Sequence, residues 1–140
     1  MLMKHVIITI KGFQSIGDEK DKESFELVTD GEYEHRGDTA ELSYIESELT
    51  GLAGLKTTFF VEPGRVILSR GSGTQGDMIF SLGKKHHFLY ETGHGSILMG
   101  LDTHDIKHNL TPEGGTLEIH YTLDFDNMFL SRNSFSISVR

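Results

Sequence analysis

The sequence predicts an all-β protein, an antiparallel meander barrel of roughly eight to ten strands in one domain over residues 1–140. Three observations lead there. Apolar and polar residues alternate along almost the whole chain, the period of a half-buried strand. No window carries an i, i+3, i+4, i+7 stripe of helical length. The 16 glycines fall mainly where the alternating runs break, at positions that make use of positive φ. Short strands so closely spaced pack as a single meander, either a closed barrel or a sandwich.

The elements follow in order. Val6, Ile8 and Ile10 open the first strand, which ends near Gln14. A charged loop, GDEKDKE, leads to Phe25, Leu27 and Thr29 in one phase. Leu42 and Tyr44 mark the next run, followed by Leu55, Thr57, Phe59 and Val61, then by Val66 and Leu68. Met78 and Phe80, Phe88 and Tyr90, and Ile97, Met99 and Leu101 continue the alternation. Ile106 forms a further short run, and Leu117, Ile119, Tyr121, Leu123 and Phe125 a long one. Phe135, Ile137 and Val139 close the chain. Leu27, Tyr44, Phe59, Leu68, Phe80, Phe88, Met99, Ile119 and Ile137 are expected to share one interior.

One hairpin can be registered from its turn. Thr111-Pro112-Glu113-Gly114 sets proline and glycine where a tight turn uses them. Folding the flanks together sets Lys107 opposite Glu118, Asp105 opposite His120, Ile106 opposite Ile119 and His104 opposite Tyr121. Opposite charges then pair on one face and apolar groups on the other.

Composition narrows the function. A formal net charge of -8 repels phosphate backbones, so nucleic acid is not an expected partner. The chain has no cysteine, which removes disulfides, thiolate metal sites and cysteine nucleophiles. The apolar run after Met1 is too short for a signal peptide, and no window reaches membrane-helix length. The expectation is a cytoplasmic protein with no membrane partner; a homo-oligomer is compatible with it.

The segment VILSRGSGTQGDMIF contains G-x-G-x-x-G after a strand, the spacing of a dinucleotide-binding turn. That fingerprint requires the glycines to open a helix whose N-terminus holds the pyrophosphate. Here an alternating run, Asp77 to Leu82, follows instead. The motif reads as a bend between strands, and no nucleotide cofactor is expected.

Eight histidines raise the question of a metal. His104 and His108 have the spacing that joins two ligands on a helix, but in a strand it is about 13 Å. His86 and His87 point to opposite faces, His94 lies in a Gly-His-Gly turn, and His120 faces outward opposite Asp105. No metal site is expected. Asp124-Phe125-Asp126-Asn127 lacks the glycine and terminal glutamate of a calcium loop and reads as a strand end. Neither Gly95-Ser96 nor Gly71-Ser72-Gly73 is a nucleophile elbow, so no catalytic serine is assigned.

Polar residues in phase with the apolar face are more informative. Leu42 and Tyr44 carry Glu46 and Glu48 onto their own side, and Val66 and Leu68 carry Arg70. Phe88 lies between His86 and Tyr90 in phase. If these faces point inward, a carboxylate, a guanidinium and an imidazole approach one interior, and Glu46 with Arg70 is the natural couple. The alternatives are residues at a barrel mouth or a purely structural ion pair.

At Leu42-Ser43-Tyr44-Ile45-Glu46-Ser47-Glu48-Leu49-Thr50-Gly51 the chain resembles the YwiB-like proteins of Gram-positive bacteria, a domain of unknown function with a calycin (lipocalin-like) β-barrel. Other matching segments are Gly12 with Gln14, Glu26 to Gly31, Arg70-Gly71, Met78-x-Phe80, Gly83-Lys84-Lys85-His86, Tyr90-x-Thr92-x-x-Gly95 and the terminal Phe-x-Ile-x-Val-Arg. The resemblance implies a small intracellular barrel; it implies no reaction and brings no catalytic residues. His104 and His108 replace lysine-like and aliphatic residues of the pattern, which further weakens a metal role.

The reading is a non-enzymatic cytoplasmic protein that binds a small amphipathic molecule within the barrel. Tyr44, Glu46, Arg70, Met78, His86 and Tyr90 are its candidate ligand-binding residues. The alternatives are a protein-interaction module with a side-chain-filled barrel, or an enzyme using Glu46 as acid or base.

Overall fold

The computed structural model describes residues 3–16, 21–46, 54–71, 77–92 and 94–140. Ten strands follow one another: β1 (Lys4–Ile16), β2 (Asp21–Arg36), β3 (Thr39–Ile45), β4 (Lys56–Glu62) and β5 (Arg65–Arg70), then β6 (Met78–Ser81), β7 (Lys85–Thr92), β8 (Gly95–His108), β9 (Gly115–Phe125) and β10 (Met128–Val139). Among the described residues no helix is long and apolar enough to cross a membrane.

All ten strands lie in one antiparallel sheet of order β6-β5-β4-β3-β2-β1-β10-β9-β8-β7. The sheet curls until its ends meet. Among the described residues no ladder joins β6 to β7; a parallel bridge from Leu82, just after β6, to Thr103 ties this edge to β8. The barrel is therefore nearly closed, with a seam at β6. In this meander the β1–β2, β3–β4, β5–β6, β7–β8 and β9–β10 connections share one end, and the remaining connections share the other.

Period-two alternation places one face of every strand inside. The nine residues expected to share an interior do so: eight are buried, and Leu27 packs half-buried against them. Four aromatic rings form a connected stack within. Phe80 meets Tyr121 edge-on at 4.9 Å, Tyr121 stacks on Phe135 at 5.8 Å, and Phe135 meets Phe59 edge-on at 6.0 Å. Gly12 leaves the space into which the Phe25 ring lies, since a Cβ there would fall 2.2 Å from Phe25 Cε1.

The β8–β9 turn closes one end. The fully buried Tyr33 donates its hydroxyl to the Thr111 carbonyl at 2.6 Å, Lys4 Nζ donates to the Pro112 carbonyl at 2.6 Å, and Leu110 is buried beneath. Thr111 and Gly114 exchange two backbone hydrogen bonds. Gly114 has φ +125°, and a Cβ there would sit 2.3 Å from the Val139 carbonyl oxygen. Gly114→Ala is thus expected to lower stability by about 1–3 kcal/mol in a denaturant titration; an unchanged midpoint would show that the cap does not hold this end.

The registered hairpin pairs Lys107 with Glu118, Asp105 with His120 and Ile106 with Ile119, as expected. The fourth pair differs. A bulge between Thr103 and Asp105 adds one residue, so Thr103 pairs with Tyr121 and His104 turns outward. Ile106 belongs to one continuous β8 rather than to a strand of its own, and β2 begins at Asp21, within the charged segment expected to be loop. Leu55 and Phe125, counted with inward alternations, are exposed. The chain after Gly71 returns as β6, antiparallel to β5, so no helix opens behind the glycine motif. Residues 72–76 of that motif lie outside the described residues, as does Glu48.

Candidate functional site: a polar cluster at the end opposite the hairpin cap

The end opposite the β8–β9 cap carries the polar interior residues. Thr57 pairs with Tyr44 on one side and Arg70 on the other, so one row across β3, β4 and β5 sets a phenol, a hydroxyl and a guanidinium side by side. Glu46 stands two residues beyond Tyr44 on the same face, where its amide donates to the Leu55 carbonyl. Its residue is 3% exposed. A carboxylate so placed needs donors. Thr57 supplies one, its hydroxyl donating to Glu46 Oε2, and Tyr44 stands beside Thr57 in the same row.

Arg70 approaches from β5. Its Nε lies 3.8 Å from Glu46 Oε2, an ion-pair distance beyond a hydrogen bond, and its side chain keeps 35% of its surface exposed. That Nε is nevertheless buried and has no hydrogen-bond partner. Arg70 also lies close enough to Tyr121 to act on that phenol electrostatically. On β10, Asn133 Nδ2 donates to Ser131 Oγ at 3.0 Å, both residues buried.

Burial holds both phenols protonated far above their ordinary value of 10.0. For Tyr44 the Glu46 carboxylate adds to the effect, while Arg70 opposes it; Arg70 also opposes it at Tyr121. A phenol whose folded value exceeds its unfolded value contributes equally at all pH below the unfolded value. Above it the unfolded chain ionises first, so stability falls until the folded value is reached. Unfolding free energy is expected to decline as pH rises above 10, less steeply in Tyr44→Phe and Tyr121→Phe. Equal slopes in all three proteins would contradict this burial.

The six candidate residues therefore have different positions. Tyr44, Glu46 and Arg70 come together around Thr57. Met78 is buried and pairs with Leu68, two residues before Arg70. His86 lies on β7 opposite Leu101, its Nε2 buried without a partner at the seam where Thr103 Oγ1 is likewise unpaired. Tyr90 is 55% exposed and does not enter the interior. The row of Thr57 and the pair Ser131–Asn133 are additions; their signal was a polar residue in phase with Phe59 and with Phe135.

His104 and His120 lie outside. His104 Nε2 meets Thr122 Oγ1 at 3.0 Å, and His120 Nε2 meets Glu118 Oε1 at 2.6 Å. Two clefts of about 400 and 490 Å³ open near these outer walls, one lined by His87, Leu98 and the Asp124–Asn127 turn, the other by His104, His120, Phe129 and Arg132 among others. Among the described residues no three His, Asp or Glu side chains form a metal-binding group.

The cluster can hold a polar group through Arg70 while Glu46 is engaged by the Thr57 hydroxyl. Comparison with known proteins adds kinship. No curated protein matches the chain. The crystal structure of YwiB protein from Bacillus subtilis superimposes with a TM-score of 0.73 at 25% identity, covering 97% of this chain and 94% of that one. The model of the family described as "Domain of unknown function (DUF1934)" matches residues 8–137, and this chain, a YwiB-like barrel, belongs to that family.

Proposed function

We propose that this protein is a cytoplasmic, non-enzymatic binding protein for one small amphipathic molecule, held at the polar end of a calycin-like barrel. One observation carries the reading: Arg70 Nε is buried without a partner beside a carboxylate already bonded to Thr57. An unsatisfied buried donor costs about 1–3 kcal/mol, and a ligand acceptor offsets that cost. The stacked rings of Phe59, Phe135 and Tyr121 offer the apolar end of the ligand a wall. Fully buried Ile8, Ile10, Tyr33 and Leu42 fill space nearer the capped end, so the ligand sits high in the barrel. Native mass spectrometry of protein purified from its own host tests this. A population heavier by one small organic molecule, lost on solvent extraction, is the expected result.

A second reading, a protein-interaction module, is favoured by the exposed Phe125, Met128, Phe129 and Leu130 around the β9–β10 hairpin. Uniformly ligand-free protein that retains other proteins through this hairpin would support it instead.

A further inference from the structure

We infer that the polar end of the bound molecule is a neutral hydrogen-bond acceptor, the carbonyl oxygen of an ester, amide or ketone, and not a carboxylate, phosphate or amine; this rests on the binding reading above. Charge balance among the described residues carries it. Glu46 and Arg70 already form a pair of opposite charge at 3.8 Å, with the Glu46 side chain fully buried. An anionic head group would leave the cluster with one uncompensated negative charge against a buried carboxylate, and an amine would leave one uncompensated positive charge against Arg70. Either excess is unfavourable where water is scarce.

Hydrogen-bond supply points the same way. The Thr57 hydroxyl donates to Glu46. Among the described residues of this cluster, Arg70 Nε is the donor that is buried and makes no hydrogen bond, its ion pair with Glu46 being too long for one. It requires an acceptor, and a carbonyl oxygen supplies one without adding charge. The net charge of the whole chain, -8, further disfavours anions approaching this end.

The test is displacement of a neutral fluorescent naphthyl ketone at neutral pH by one alkyl chain bearing, in turn, a methyl ester, a primary amide, a carboxylate or an amine. The ester and amide are expected to bind the wild-type protein at least about tenfold more tightly than the carboxylate or the amine. Glu46→Gln removes the balancing charge but keeps the side-chain shape, so the carboxylate should overtake the ester in that variant. A wild-type protein that prefers the carboxylate or the amine, or binds either as tightly as the ester, overturns the inference and leaves the binding reading standing. If neither the ketone nor any chain binds, the binding reading fails and the inference falls with it. The wild-type series decides the matter even if Glu46→Gln does not fold.

Discussion

Phe80→Ala is expected to lower the unfolding free energy by about 3–5 kcal/mol, seen as an earlier urea midpoint with little change in slope. Phe80 is fully buried and packs edge-on against Tyr121, the ring that links it to Phe135 and Phe59. Its loss removes both apolar burial and an aromatic contact at the seam. The neighbouring walls cannot readily collapse into the space, because β8, β9 and β10 are held by long ladders. A loss below about 1 kcal/mol would mean that the seam relaxes around the missing ring.

The polar cluster should respond asymmetrically. Arg70→Met leaves the Glu46 carboxylate buried with its Thr57 hydroxyl donor but without a cation. A loss of about 2–3 kcal/mol is expected, below that of a fully dry pair because Arg70 is one-third exposed. Glu46→Gln is expected to lose only about 1 kcal/mol, since the guanidinium can turn toward water. Denaturant titration at neutral pH compares the two. Equal losses, or a larger loss for Glu46→Gln, would show that the buried carboxylate does not depend on Arg70.

Much of the barrel was legible because strand phase is local. Each inward residue follows from its neighbours two positions away, which placed Glu46 behind Leu42 and Tyr44, and Arg70 behind Val66 and Leu68. Register was legible only where a tight turn counts it out, as at Thr111–Gly114. The bond from Thr57 to Glu46 depends on how β3 meets β4, and the connection between them is too long to fix that alignment. The bulge after Thr103 carries no sequence signal and shifts phase by one residue, so turn counting alone pairs His104 with Tyr121, where the structure has Thr103.

Tyr90 illustrates a different limit. Its phase relative to Phe88 suggested the interior, but β7 is an end strand laddered only to β8. An inward phase there does not guarantee a neighbour to cover it. His86, lower on the same strand, is drawn in at the seam, where Thr103 and Leu82 close the barrel.

The central claim is that Arg70 Nε at the polar end of the barrel receives the polar group of a bound small molecule. It is tested most directly by nuclear magnetic resonance of the arginine Nε–Hε signals, assigned through Arg70→Lys, during titration with the methyl ester of the displacement series. The account expects the Arg70 signal to move downfield and saturate with one equivalent of ligand, while those of the exposed Arg36 and Arg65 stay in place. Saturable ester binding that leaves the Arg70 signal unmoved would contradict it.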